Sequence, residues 1–243
     1  MHRLPAETEL LSRDEVALPR EAERHLKVLR PKPGEVIELF DGRGRMRRYA
    51  VDGGTLRAVA DAVFVPRPPV RLTLFACITK GSRWDWTIEK AVELGVTRIV
   101  PVISDRVIVR LAPDARTEKA GRWRRIAEDA ARQSDAAWLP EVVEAVDFKD
   151  SLALVRETTC FVGALTSPPS PPLLDAVMET EIAPGGDYAV FVGPEGDFTP
   201  AELAALLEIA RPTSFGPTIL RAETAALFAL SVLAARLALL KRV

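Results

Sequence analysis

The sequence has few of the residues that build metal centres and hydrolytic active sites. It contains two cysteines, Cys77 and Cys160, and two histidines, His2 and His25, and each cysteine lies in an apolar run. There is no CxxC pair, so the sequence predicts no metal site, and histidine-based hydrolysis has few candidates. A small buried thiol is the simplest expectation for each cysteine.

The chain also lacks an excess of one charge and a long hydrophobic run. Its formal net charge is −1, so any affinity for nucleic acid must come from local patches. Residues 1–10 lack the apolar core of a signal peptide. The longest apolar run, 225–235, is shorter than the ~20 residues that a membrane span needs. These absences predict a soluble cytoplasmic protein that does not enter a membrane.

The residue pattern changes near the proline-rich segment 65–69. Before it, short strands such as 36–40 alternate with glycine-rich turns, which is typical of a small β-barrel or sandwich, and one helix is predicted near 20–29. After it, apolar runs alternate with helical patterns, which indicates a parallel sheet covered on both faces. The sequence therefore predicts an α/β protein with two domains, 1–68 and 69–243.

The second domain is predicted to contain five buried strands with helices between them. One helix opens at Ser82 and is closed by Gly95, and another begins near Thr117. A capping box with proline at the first helical position predicts a helix start in the segment 199–202. The last helix, 222–241, is apolar nearly all round, which predicts burial in the core or in a subunit interface. The five strands are predicted at 72–78, 98–103, 160–165, 188–194 and 213–216.

A glycine-flanked loop after the strand at 188–194 carries two acidic residues, Glu195 and Asp197. Open α/β sheets bind ligands at such loops. The carboxylates would repel a phosphate, and neither GxGxxG after a strand nor a P-loop is present. A cationic or zwitterionic ligand fits this loop better. A strand–helix turn without any ligand is the alternative.

Two further segments carry charges that need an explanation. Arg221 and Glu223 open the last helix. An arginine at a helix N-terminus opposes the helix dipole, which indicates that it has a functional role. A solvated first turn is the alternative. Arginines also crowd the turn-rich segment 43–48. They predict contacts with RNA phosphates, and a solvated hairpin tip is the alternative.

Four segments resemble one known family. GPEGDF (193–198) and FGPTILRAETAAL (215–227) look like the two C-terminal signatures of the SPOUT methyltransferases. They are most similar to the branch that methylates N3 of a uridine in small-subunit (16S) ribosomal RNA. Residues 25–44 are similar to that family's N-terminal PUA-like segment, and residues 80–111 to its first βαβ unit. The resemblance covers nearly the whole chain, with the motifs in the family's order.

The resemblance implies a PUA-like RNA-docking β-barrel followed by a SPOUT α/β domain with a parallel sheet and a C-terminal trefoil knot. It also implies S-adenosyl-L-methionine as the cofactor, no metal, a homodimer, and ribosomal RNA or the small ribosomal subunit as the partner. The donor-binding residues that it implies are Leu165, Thr166, Gly193, Glu195, Gly196, Phe215, Gly216, Ile219, Leu220, Arg221 and Thr224.

The chemistry of methylating a uridine nitrogen indicates the catalytic roles, and the RNA contacts are expected on other grounds. The imide proton of the uracil must leave, so a cation that favours the anion and a base are expected. Arg221 is the candidate for the cation and Glu195 for the base. The residues expected to contact RNA are Arg30 and Lys80, from the resemblance, and the arginines Arg43, Arg45, Arg47 and Arg48.

The chain departs from the family pattern at two places. Asp197 stands where glycine is usual, and the Gln133-Ser134 pair, after which arginine is usual, is followed by Asp135-Ala136-Ala137-Trp138. These departures keep two alternatives open. One is a methyltransferase that acts on another RNA or base, and the other is a donor-binding RNA assembly factor without activity.

Overall fold

The fold is described by a computed structural model for residues 1–17, 31–155 and 158–238. The predicted helix at 20–29 lies outside these residues. The chain forms two compact units, and each contains two separate stretches of sequence. The first unit is Met1–Arg67 with Ala131–Leu139, and the second is Pro68–Ala130 with Pro140–Val243. The predicted boundary at 68/69 thus lies one residue beyond the first stretch, whereas 131–139 packs with the first unit.

The first unit contains a six-stranded sheet in the order β1-β3-β4-β5-β2, with β6 paired to β4. Strands β1 and β3 are parallel and the other pairs are antiparallel. The predicted closed barrel is wrong for the part of the chain described here, because the short end strands β1 and β2 do not pair with each other. The strands are β1 His2–Pro5, β2 Glu15–Ala17, β3 Val36–Phe40, β4 Arg45–Asp52, β5 Thr55–Ala58 and β6 Val63–Phe64.

Segment 131–139 joins the first unit through a buried arginine. Arg3 Nε lies 2.8 Å from Glu38 Oε1, and its Nη1 donates to the carbonyl oxygens of Ala131 and Ala136 at 3.3 and 3.2 Å. Ala131 lies in the last turn of the helix Pro113–Gln133 and Ala136 in the turn that follows it, where a cation is favourable. Asp135 takes a left-handed conformation, with φ of 57°, and the Ala136 N–H donates to Ala131 O at 3.0 Å. The helix therefore ends in a Schellman-like turn that holds its last residues against Arg3.

The second unit contains a seven-stranded sheet in which every pair is parallel. The order is β10-β8-β7-β12-β11-β13, with β9 paired to β8. Continuous apolar runs build strands that are buried on both faces, so the predicted parallel sheet is confirmed. The strands are β7 Arg71–Cys77, β8 Arg98–Ile103, β9 Glu141–Val142, β10 Val146–Asp147, β11 Thr159–Gly163, β12 Asp187–Val192 and β13 Arg211–Thr213.

Helices begin close to where the capping residues predict them. The capping box is formed, because Thr199 Oγ1 accepts from Glu202 N and Glu202 Oε2 accepts from Thr199 N. No helix in the described ranges has the length and apolar character needed to cross a membrane. The helices are α1 Ser82–Glu93, α2 Pro113–Gln133, α3 Phe148–Leu152, α4 Leu173–Met178, α5 Pro200–Leu207 and α6 Ala222–Ala238, with short 3-10 turns at Thr8–Ser12 and Ala153–Val155.

Helix α6 has one buried face and one exposed stripe. Leu230 and Leu237, which the apolar pattern made candidates for a subunit interface, are buried inside the chain. The exposed stripe instead runs through Thr224, Phe228 and Ala235 at helical spacing. The single chain thus covers one face of the helix, and the predicted burial of the remaining face in a subunit interface stays a prediction; the named candidates Leu230 and Leu237 are not on that face.

Both cysteines are buried and protonated in the folded chain. Burial raises the pKa of Cys77 and that of Cys160 from 9.0 to about 12. The folded state therefore keeps these protons at a pH where the unfolded state has lost them. The stability that the two protonated thiols contribute is fully present below pH 9 and is lost as the pH rises toward 12. We expect the free energy of unfolding to fall above pH 9 by up to about 1.4 kcal/mol per pH unit for each thiol.

Urea unfolding at a series of pH values measures this slope. The variant Cys77→Ala/Cys160→Ala is the control, because it retains every other group that titrates in the same range. Its stability should fall less steeply than that of the unmodified protein. Equal slopes would show that the thiols do not contribute.

Candidate functional site

Three loops meet at the carboxyl edge of the second unit's sheet. They follow β11, β12 and β13, which are neighbours because β11 pairs with both of the others. The register places Gly163 beside Thr213 at the strand ends. Carboxyl ends of parallel strands are the usual ligand-binding edge of an open α/β sheet. The sequence motifs at 193–198 and 215–227 thus come together in space.

A pocket of about 530 Å³ lies between these loops. Nine of the predicted donor-binding residues line it, and they are Leu165, Gly193, Glu195, Gly196, Phe215, Gly216, Ile219, Leu220 and Arg221. Thr166 does not line the pocket, and its hydroxyl is hydrogen-bonded to Pro168 O and Ser170 Oγ. Thr224 lines a neighbouring groove. The predicted set omitted Gly163, Ala164, Val192, Pro194, Asp197, Thr213, Ser214, Thr218, Ala222 and Ala225. Most of these stand directly beside predicted strand ends, which is the signal that could have found them.

The acidic loop after β12 is held from several sides. Glu195 forms an ion pair with Arg83 at 3.5 Å, and Arg106 Nη1 donates to Gly196 O at 3.0 Å. Asp197 has a φ of 60°, and its carboxylate accepts from the Phe198 N–H at 2.7 Å. A short polar side chain that bonds locally is one of the few that tolerate this left-handed conformation. The loop therefore presents two carboxylates to the pocket in a fixed arrangement.

Arg221 lies between the pocket and the neighbouring groove, because it lines both. The groove has a volume of about 670 Å³. Arg221 forms no ion pair with any residue in the described ranges, so its charge is available to a ligand. The groove also contains the exposed ring of Trp86. Its complete lining is Ser82, Arg83, Asp85, Trp86, Glu89, Arg221, Glu223 and Thr224.

Two glycines of the pocket differ in what surrounds them. A Cβ atom on Gly163 would lie 2.4 Å from the Phe215 ring, so glycine is required there for close packing. A Cβ atom on Gly196 would meet Arg106, with its nearest contact at 3.5 Å to the side chain, which is an ordinary contact. The protein itself therefore leaves room at Gly196, and a side chain there would act on whatever occupies the pocket.

The predicted RNA-binding arginines fall into two groups. Arg47 is engaged inside the first unit, where Nη2 donates to Asp14 at 2.7 Å and Nε donates to Ala60 O at 2.8 Å. Arg43, Arg45 and Arg48 are exposed, and among the described residues only the Arg48 side chain forms an ion pair, with Glu38 at 3.6 Å. The structure thus leaves three of these four arginines accessible and uses Arg47 for packing.

The other two predicted RNA contacts have different outcomes. Lys80 is exposed after β7, at the carboxyl edge of the second unit's sheet. Arg30 lies outside the residues that the structure describes.

Comparison with known proteins identifies relatives over most of the chain. The family model of the RNA methyltransferase domain matches residues 66–234. Ribosomal RNA small subunit methyltransferase E of Mycobacterium bovis is 35% identical over 211 residues, which cover 84% of this chain and 79% of that protein. The protein of the same name from Bacillus subtilis is 31% identical over 176 residues, covering 71% of this chain and 69% of that protein.

Solved structures have a similar fold over nearly the whole length of the chain. Ribosomal RNA small subunit methyltransferase E of Neisseria gonorrhoeae, bound to S-adenosyl methionine, matches with a TM-score of 0.82 and 32% identity, over 95% of this chain and 96% of that chain. A methyltransferase of Legionella pneumophila in complex with the same cofactor matches with a TM-score of 0.83 and 29% identity, over 96% of each chain. With the family match, these likenesses show that the chain belongs to the RNA methyltransferase family, alongside the ribosomal RNA small subunit methyltransferases E.

Proposed function

We propose that the protein is an S-adenosyl-L-methionine-dependent enzyme that methylates N3 of one uridine in small-subunit (16S) ribosomal RNA. The pocket formed by the loops after β11, β12 and β13 carries the proposal, because two relatives of the same fold bind this cofactor. The enzyme would act in the cytoplasm, and its first unit would dock RNA. Membership of the SPOUT superfamily and a trefoil knot at the three loops are part of the same proposal.

The residues of the pocket fit the chemistry of the donor. A volume of about 530 Å³ lies within the range of small-molecule sites. Leu165 and Ile219 line it although they are 72% and 88% exposed, so they offer apolar surface that a flat ring would cover. Glu195 and Asp197 place negative charge where a cationic ligand is favoured. The donor, when bound, supplies a methyl group on a positively charged sulfur.

The groove beside the pocket suits the uridine that receives the methyl group. Trp86 offers an exposed ring for stacking, and Arg221 carries positive charge at the same surface, whereas Arg83 is ion-paired with Glu195. The uracil N3 must lose its proton before its electron pair can form the new bond. Arg221 would favour the resulting anion by charge, and Glu195 is the proposed proton acceptor. The remaining contribution is orientation and exclusion of water.

Nucleoside mass spectrometry of 16S ribosomal RNA tests this function. RNA from cells that lack the gene is expected to have lost 3-methyluridine, and a plasmid copy of the gene is expected to restore it. Loss of a different methylated nucleoside would show that the base is another one. Unchanged nucleosides would favour the alternative of a donor-binding assembly factor. This alternative is open because the chain departs from the family pattern at Asp135.

A homodimer is part of the proposal, and the exposed stripe of α6 is its expected interface. The Phe228 ring is 38% exposed and lies 5.9 Å from the Phe215 ring of the pocket, measured between centroids. An uncovered stripe that has no charged residue at Thr224, Phe228, Ser231 or Ala235 and carries an exposed aromatic ring is best hidden by a second copy about a two-fold axis. We expect light scattering to give a mass near twice 26.6 kDa.

Introducing a charge into the stripe should separate the subunits. Ala235→Glu is the better variant, because Ala235 is exposed and does not line the pocket, whereas Phe228 contacts Phe215. Leu174→Glu is the matched control, since Leu174 is 54% exposed on α4, outside the stripe. Monomers for Ala235→Glu and dimers for Leu174→Glu support the interface. A monomeric unmodified protein would contradict it.

A further inference from the structure

A cluster of aromatic and arginine side chains lies on the surface of the first unit. It comprises Phe64, Trp138, Arg43, Arg45 and Arg67, and we refer to it as the aromatic platform. Phe64 is 58% exposed and Trp138 is half-buried. Their ring centroids are 6.1 Å apart, with the planes at 80°. None of these residues lines the donor pocket or its neighbouring groove.

The tryptophan of the platform is fixed by the backbone around it. Trp138 Nε1 donates to Val65 O at 2.9 Å, and the preceding residue, Ala137, accepts from Gly44 N at 2.9 Å. A Cβ atom on Gly44 would lie 2.7 Å from the Trp138 ring, so the ring lies directly against the chain there. A ring held in this way loses little conformational freedom when something stacks on it.

Each aromatic ring has an arginine beside it. Arg45 pairs with Phe64 between β4 and β6, and Arg43 forms a β-bridge with Trp138. Side chains paired across strands lie on the same face of the sheet. The Arg67 guanidinium is 4.9 Å from the centroid of the Trp138 ring, which is a cation–π distance. The cations and rings of the platform therefore share one surface.

Within the described residues of the first unit, the charges of the platform are not neutralised. Among the residues that the structure describes, no carboxylate forms an ion pair with Arg43, Arg45 or Arg67. Asp41 is the acidic residue of this turn, and its Oδ1 accepts from the backbone N–H groups of Arg43 and Arg45 at 2.7 and 3.0 Å. Its Oδ2 accepts from Thr8 Oγ1 at 2.9 Å. The carboxylate is thus engaged by the turn rather than by the guanidinium groups.

We propose that the aromatic platform binds an unpaired nucleotide of RNA, with the base against the exposed Phe64 ring, which Trp138 supports from the side, and the flanking phosphates on the arginines. The inference rests on the proposed action on ribosomal RNA. Exposed rings offer stacking to every base, and unpaired guanidinium groups attract phosphates. An apolar protein partner would leave three cations without counter-charges, so charge complementarity favours the nucleotide. A base in a duplex is already stacked and cannot use the rings.

Anisotropy of a labelled oligoribonucleotide tests the platform with the full-length protein. Phe64→Ala is expected to weaken binding of a single strand about tenfold, which is within the range of one lost base stack. Phe64→Tyr should retain wild-type binding, because the aromatic face remains. Binding of a blunt RNA duplex of the same length should change less than twofold. Arg67→Gln should weaken single-strand binding and reduce its salt dependence by ~0.7 log units per log salt.

Val63→Ala is the matched control for the loss of apolar surface. Val63 is 55% exposed and adjacent to Phe64 on β6, and its side chain points to the other face of the strand. Its single-strand affinity should stay within twofold of the unmodified protein. Equal weakening by Val63→Ala and Phe64→Ala would overturn the platform, because it would show a general loss of fold or surface.

The remaining outcomes separate the platform from the proposed function. Wild-type single-strand affinity in Phe64→Ala, or equal loss for strand and duplex, would overturn the platform, even if 3-methyluridine still depends on the gene. Loss of self-association in Phe64→Ala by light scattering would assign the surface to a second copy instead. The last outcome combines a loss of single-strand affinity in Phe64→Ala with a gene that does not affect 3-methyluridine. This outcome would support the platform and reject the proposed reaction.

Discussion

Replacing Gly163 with alanine is expected to weaken binding of S-adenosyl-L-methionine by at least about tenfold, or ~1.4 kcal/mol. The added Cβ atom would lie 2.4, 2.7 and 3.0 Å from three atoms of the Phe215 ring, which is closer than side chains pack. The ring must move, and both residues line the proposed donor pocket. The substitution thus alters the pocket through its aromatic wall. Isothermal titration calorimetry with the cofactor measures the change in affinity.

A double variant tests whether the ring transmits the effect. If Gly163 acts through Phe215, Gly163→Ala/Phe215→Ala should bind the cofactor no more weakly than Phe215→Ala alone. Gly121→Ala is the control, because Gly121 lies in α2 and an added Cβ atom meets nothing within 4 Å. It should leave affinity unchanged and raise the free energy of unfolding by ~0.5–1 kcal/mol. Unaltered affinity in Gly163→Ala would contradict the prediction.

The sheet of the second unit and the position of its pocket could be predicted because they follow from local patterns. Strands buried on both faces must be continuous apolar runs, and β7, β8 and β12 appear in the sequence as such. Parallel strands bring their carboxyl ends to one edge, so loops distant in sequence meet there. The capping box at Thr199 and Glu202 also needs only four residues to be recognised.

Contacts between distant residues could not be predicted in this way. Arg47 and Arg45 look alike in the sequence, yet Arg47 is held by Asp14 and Ala60 while Arg45 is exposed. The packing of segment 131–139 with the first unit depends on Arg3, which is 128 residues from Ala131. Local patterns carry no information on such pairs. The residues on the exposed stripe of α6 could not be predicted for a related reason, since a helix that is apolar all round does not reveal which face is covered.

The two departures from the family pattern share one backbone property. Asp135 and Asp197 are both in the left-handed region, with φ of 57° and 60°, and no other non-glycine residue in the described ranges has a positive φ. Aspartate is among the few residues other than glycine that visit this region. Asp197 can therefore stand where the family usually has glycine without a change of turn, and it adds a carboxylate to the pocket. Its charge is consistent with a cationic ligand.

Arg221→Ala is expected to lower the kcat of methyl transfer about 100-fold while leaving cofactor affinity nearly unchanged. Removing a preorganised group that stabilises developing charge costs about 10²–10³ in kcat. Arg221 lines both the pocket and the groove, so in the proposed reaction it would be placed to act on the uracil. The donor carries a sulfonium and an ammonium, which repel a guanidinium, and one carboxylate, which attracts it, so the net change in cofactor affinity should be small. Single-turnover rates with an RNA fragment, together with calorimetry, measure the two quantities.

The pH dependence of the rate decides whether Arg221 acts by favouring the uracil anion. Without this cation the imide loses its proton only at higher pH, so the pH–rate profile of Arg221→Ala should shift to the alkaline side. RNA with 5-fluorouridine at the target should lose less activity, because fluorine makes N3 more acidic. Arg221→Lys should keep part of the rate, and Arg125→Ala, which removes an exposed arginine from α2, should keep all of it. An unshifted profile in Arg221→Ala, with 5-fluorouridine equally impaired, would mean that Arg221 orients the RNA rather than stabilising charge.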